Sequence, residues 1–137
     1  MMEPHTLGSF EALADDAARD AAIARALGWR NVHLHRYSER CAEWVGIPPG
    51  QTGNAPIPVP AVFRGGDADA FANWGLLAEV ARLLGQRQWC LHSHAPWLPA
   101  SQWSVFTLAT KITDGRTPHR AACLAAVAAG LVPKGDS

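Results

Sequence analysis

Apolar positions along this chain fall into three runs with helical spacing and three with strand-like alternation. From Ser9 to Leu27 they are sparse: Phe10, Ala12, Ile23 and Leu27 mark a thin stripe along an alanine-rich segment. That pattern predicts a helix that packs closely without burying a wide face. Ser9 is the expected N-cap. Glu11, Asp15 and Asp16 crowd the early turns and Arg25 the last, which complements the helix dipole. Gly28 is the expected stop, with Trp29 folding back on the final turn.

"RNVHLHRY", residues 30–37, reads as a short strand with Val32 and Leu34 on one face and His33 and His35 on the other. Gly46 to Gly66 follows, with five prolines and five glycines. Such a segment excludes a helix and any central strand, and predicts a long surface loop. The widest apolar surface belongs to "DADAFANWGLLAEVARLLG". Phe71, Trp74, Leu77, Ala81 and Leu84 form one stripe, and Leu76, Val80 and Leu83 a second beside it. This predicts a helix over 67–84, capped by Asp67 or Asp69 and ended by Gly85, with Trp74 in the core.

"QWCLHSH" and "QWSVFTLATKI" read as two strands joined by "APWLPAS", a connection short enough to make them antiparallel neighbours. After a turn at "DGR", Thr117 and Pro118 open a last helix as N-cap and first helical residue. Ala121, Leu124, Val127 or Ala128, and Leu131 are its expected buried stripe, and Gly130 its stop. The order predicts one α+β domain over 1–137: three helices packed on a small, mainly antiparallel sheet as an α-β-α sandwich, with a short tail over 132–137.

The matching pieces of a family pattern run through nearly the whole chain: "LGW" at 27–29, the Asp-led helix with Trp74 near its middle, "QWCLHSH", "WSVFTLA" and the closing "TPHRAACLAAVAA". In these the chain resembles the phage ABA sandwich domain family of small phage and prophage proteins. The "APWLPASQ" connection and the histidine-rich strands depart from that pattern. The resemblance implies a layered α-β-α fold and a phage or prophage origin. It implies no activity, since the family has no defining catalytic motif.

Composition narrows the partners. Hydrophobic residues make up 48% and charged residues 18%, enough to build a core. Twelve basic residues balance twelve acidic ones, so no net field favours nucleic acid or an anionic membrane. Neither an extended nucleic-acid surface nor a membrane partner is expected, and homo-oligomerisation is left open. The three cysteines, Cys41, Cys90 and Cys123, are odd in number and form no CxxC. Free thiols in a reducing cytoplasm are therefore expected. The acidic N-terminal stretch lacks the basic and apolar regions of a signal peptide.

Two His-x-His pairs, His33/His35 and His92/His94, could chelate one metal if they converged. Cys90, His92 and His94 would lie nearly in a row on one strand, which cannot wrap an ion without bending. The expectation is thus no metal and no cofactor, with a small His-dependent metalloenzyme as the alternative. Glu39, Glu43 and Asp114 are the nearby carboxylates. GxSxG, a P-loop and GxGxxG are absent. Trp44 and Trp97 lie beside prolines, where an aromatic can cover a ligand or plug the core edge. Should the loops converge, Trp97 and Trp44 with Arg64, Arg116 or Lys111 suit stacking and charge recognition of a nucleotide-like ligand. These features predict a non-enzymatic accessory protein, with counter-defence as the setting, that binds a small nucleotide-like ligand or a host protein. A virion or structural module is a further alternative.

Overall fold

The computed structural model describes residues 3–65, 67, 74–85, 89–93, 103–107 and 112–135. Its helices there are α1 (Leu7–Glu11), α2 (Asp16–Ala26), α3 (Trp74–Leu84) and α4 (Pro118–Ala128). Its strands are β1 (Arg30–Ser38), β2 (Cys41–Ile47), β3 (Ile57–Pro58), β4 (Trp89–Ser93), β5 (Trp103–Thr107) and β6 (Ile112–Gly115). The α+β class expected from the sequence holds. The strands, however, form two antiparallel sheets, ordered β1-β2-β3 and β4-β5-β6, where one was expected.

The first helix of the sequence reading is broken in two, and its cap is not Ser9. Thr6 caps α1: its hydroxyl accepts from the Ser9 amide at 3.0 Å, and Ser9 Oγ accepts from the Thr6 amide at 2.9 Å. Asp15 caps α2 by accepting from the Ala18 amide at 2.8 Å. A carboxylate that bonds the backbone ahead of it in this way favours extended φ/ψ at its own position, so the helix restarts there. Arg19 spans the break, donating to the carbonyls of Phe10, Glu11 and Leu13.

β1 and β2 form a hairpin closed by Glu39 and Arg40, with Ser38 opposite Cys41 and Leu34 opposite Trp44. β2 is central in its sheet and begins five residues before the expected loop. The 46–66 segment is therefore not all loop: Gly46 and Ile47 finish β2, and Ile57 and Pro58 pair back onto it. Proline in β3 is tolerated because β3 is an edge strand.

The two Trp-bearing strands are antiparallel neighbours as expected, with Trp89 opposite Thr107 and Ser93 opposite Trp103. The expected second strand, 102–112, is not one strand: β5 covers 103–107, and β6, which begins at Ile112, pairs antiparallel with it, Ser104 opposite Asp114. β6 then runs close under α4. Thr113 Oγ1 donates to the Ala121 carbonyl at 3.0 Å. A Cβ on Gly115 would lie 2.7 Å from the Ala121 amide nitrogen, so only glycine fits.

Thr117 and Pro118 open α4 as expected, and Gly130 with φ 76° ends it. Its small side chains let neighbours approach on several sides. Ala121, Ala122, Cys123, Ala125, Ala126 and Val127 are all buried, a wider face than the single expected stripe. They share one core with Phe10, Ile23, Val62, Phe63, Val80, Leu84, Val105 and Val132.

α3 contributes Leu77, Val80 and Leu84 to this core, with Leu76 and Leu83 packed at its edge. Trp74 is not in the core. It is 49% exposed, and among the described residues of α3 the core contacts are made from Leu76 onward. Phe71 and Asp69 lie outside the described residues. Through Lys134 the expected tail is tied down: His5 N donates to the Val132 carbonyl at 2.7 Å and Lys134 N to the Glu3 carbonyl at 2.9 Å.

Candidate functional site: a cleft between the second helix and the first sheet

The start of α2, the inner face of the first sheet and the turn at 61–65 enclose a cleft of about 430 Å³. That volume lies within the usual range for small-molecule sites, roughly 300–1,000 Å³. Ala17 and Ala18 of α2, with Ala14 just before it, form one wall, and their small size opens the space. Leu34, Trp44, Pro58 and Val59 form the apolar sheet wall. Asp15 and Arg64 supply the charge, while the Glu43 carboxylate, on the strand position next to Trp44, is turned to Tyr37 on the other face of the sheet. Ala42 completes the lining, which among the described residues holds no Ser, Thr, Cys, His or Lys.

Trp44 reaches the cleft because it stands opposite Leu34 in the hairpin register. The Arg25 guanidinium lies 5.5 Å from the indole centroid, a cation–π distance, and donates to the Val32 carbonyl at 3.1 Å. The indole is thus braced from α2. Arg64 is positioned from inside the protein. Asp20, whose side chain is 1% exposed, accepts from Arg64 Nε at 2.6 Å and from the amides of Phe63 at 2.8 Å and Arg64 at 3.3 Å. Burial pushes the Asp20 carboxyl up, against the pull of these donors. The Arg64 side chain remains 45% exposed.

Of the residues marked in the sequence, Trp44 and Arg64 come together. Arg116 does not join them. It sits beside a separate cluster in which Arg120 makes a bidentate pair with Asp67, at 2.8 and 2.7 Å, and reaches Asp16 at 2.8 Å. Arg116 itself approaches Asp67 at 3.4 Å. The Arg120 guanidinium also lies 4.6 Å from the Phe63 ring centroid. Trp97 and Lys111 lie outside the described residues.

The histidine pairs belong to different sheets: His33 and His35 stand on β1, His92 on β4, and His94 lies outside the described residues. His33 Nδ1 is 2.8 Å from the Asn31 carbonyl oxygen, and the His92 ring packs edge-on to Phe106. Among the described residues no three His, Cys, Asp or Glu side chains are grouped to hold a metal. Cys123 is fully buried, and burial pushes its thiol up, away from thiolate chemistry. No helix among the described residues is long and apolar enough to cross a membrane.

The sequence reading missed Asp15 and Asp20 as site residues. Asp15 and Asp20 look like the solvated face of an acidic helix, and Asp20's partner is 44 residues away. Comparison with known protein families, with curated proteins and with solved structures finds no match to this chain.

Proposed function

We propose that this chain is a non-enzymatic phage or prophage accessory protein that acts in the host cytoplasm by holding a small, nucleotide-like ligand in the Trp44–Arg64 cleft. Counter-defence, by sequestering such a ligand, is the setting this reading suggests. The observation that carries it is the convergence of a braced indole and a positioned guanidinium on one cleft of small-molecule size. An aromatic face offers stacking to any planar base. Among the described residues the lining offers apolar surface and fixed charge but no Ser, Thr, Cys, His or Lys, which suits capture better than covalent chemistry.

A thermal-shift screen of the purified chain against nucleosides, nucleotides and cyclic dinucleotides tests this. A ligand present at 100 times its Kd stabilises by about 2.7 kcal/mol, a readily measured rise in Tm. At least one compound is expected to raise the Tm of the wild-type chain and to leave Trp44→Ala unmoved. A screen with no hit, or hits indifferent to Trp44, overturns the proposal.

A further inference from the structure

Arg64 is held in a way that leaves the far edge of its guanidinium unused. Asp20 accepts only from Nε, at 2.6 Å, and Nη1 and Nη2 meet no acceptor among the described residues. Asp20 cannot turn to cover them. Its side chain is 1% exposed, and its other oxygen accepts from the amides of Phe63 and Arg64. The guanidinium is therefore anchored at one nitrogen and presents the other two side by side. That fork matches two oxygens of one phosphate, a geometry that the point charge of a lysine lacks.

The surrounding charges limit how many anionic groups the cleft can match. Among the described residues Arg64 is the only cation in the lining, and Trp44 the only aromatic. Asp15 is the one carboxylate turned to the space, and its Oδ1 already accepts from the Ala18 amide. The Glu43 carboxylate belongs to the other face of the sheet, with Tyr37. Counting Arg25 over the indole and the buried Asp20, two guanidiniums stand against two carboxylates. One phosphate meets the fork. A second or third finds no further cation in the lining and adds like charge near Asp15.

We infer that the cleft takes a mononucleotide, with the base stacked on Trp44 and a single phosphate held by Nη1 and Nη2 of Arg64. This rests on the reading of the cleft as a ligand site. It adds which part of the ligand each residue recognises, and that both parts are needed.

Calorimetric titration of the full chain with adenosine, AMP, ATP and ribose 5-phosphate tests the inference. AMP is expected to bind at least about tenfold tighter than adenosine, the equivalent of about 1.4 kcal/mol. ATP is expected to gain nothing over AMP, and ribose 5-phosphate, which lacks the base, to bind at least about tenfold more weakly than AMP. Arg64→Lys keeps the charge and removes the fork. It should bring AMP down to the level of adenosine and leave adenosine unchanged, whereas a residue that only shapes the turn would weaken both alike. The wild-type ratios decide alone if that variant does not fold. Adenosine binding as tightly as AMP overturns the inference, as does ribose 5-phosphate matching AMP, ATP binding about tenfold tighter than AMP, or a folded Arg64→Lys that keeps the full gap. If adenosine and AMP bind equally and both are lost in Trp44→Ala, the cleft remains a ligand site and only its phosphate recognition is misread. Saturable binding by none of the four probes removes both.

Discussion

Asp20 shows how one buried side chain can build a surface site. It has two backbone amides and a guanidinium to satisfy, and by doing so it fixes the 61–65 turn and aims Arg64. Replacing Asp20 with Ala leaves the buried Phe63 amide without its acceptor. A buried unsatisfied donor costs about 1–3 kcal/mol, so urea denaturation of Asp20→Ala should show a loss at the upper end of that range. His5 is a second residue whose environment sets a solution property. It is buried against Phe10 and its Nδ1 is 2.8 Å from Ser9 Oγ. Burial, aided by the nearby charges of Lys134 and Arg25, holds its pKa below the ordinary value. The unfolded chain then binds a proton that the folded chain resists. Stability is full above the unfolded value, near pH ~6.5, and declines as pH falls from there toward the folded value. Denaturation midpoints measured from pH 7.5 to 5 should fall in the wild type, and more shallowly in His5→Gln.

At the scale of elements, the α3 stripe and its neighbours divide sharply in importance. Leu84 is 1% exposed, and Leu84→Ala should cost about 2–5 kcal/mol. Trp74→Ala should cost less than Leu84→Ala, because Trp74 is 49% exposed. Thermal or chemical denaturation of the pair separates the two outcomes, and equal losses would mean that the face begins earlier. Gly115 is a close approach of β6 to α4. Gly115→Ala must push β6 off α4 and is expected to lower the Tm by several degrees, since about 1–3 kcal/mol of overpacking applies. These elements were unequally legible in the sequence. The α4 start was written in Thr117-Pro118, and the β4–β5 pairing in two alternating runs and a short connection. The β1–β2 hairpin was hidden, because its turn, Glu39-Arg40, has none of the Asn-Gly or Asp-Gly chemistry that announces a two-residue loop. The break before α2 was hidden for a related reason: Asp15 serves equally well inside an acidic first turn or as a new cap. The cleft was half legible. Trp44 stood out by type, but its meeting with Arg64 depends on a buried contact 44 residues long that no local pattern encodes.

For the whole molecule, the ion cluster around Arg120 matters most, since it joins α2, Asp67 and α4 in one place. The Arg120 guanidinium holds the Asp67 carboxyl below the usual carboxylate range. Its contribution is therefore present above the unfolded value, near pH ~3.9, and is lost as pH falls through the lower folded value. Acid unfolding between pH 5 and 2 should be less steep in Asp67→Asn than in the wild type. The other feature that spans the molecule is the pairing of Glu3, Pro4 and His5 with Val132, Pro133 and Lys134. Topologically this makes the fold nearly a ring, in which the starting point of the chain carries little structural information. Joining residues 3 and 134 through a short glycine linker and opening the exposed hairpin between Glu39 and Arg40 should give a permuted chain with the same core. In that chain β1 and β2 would sit at opposite termini. Their pairing, now the most local in the sheet, would become the most distant, and the rate of folding would slow while the folded structure stayed the same.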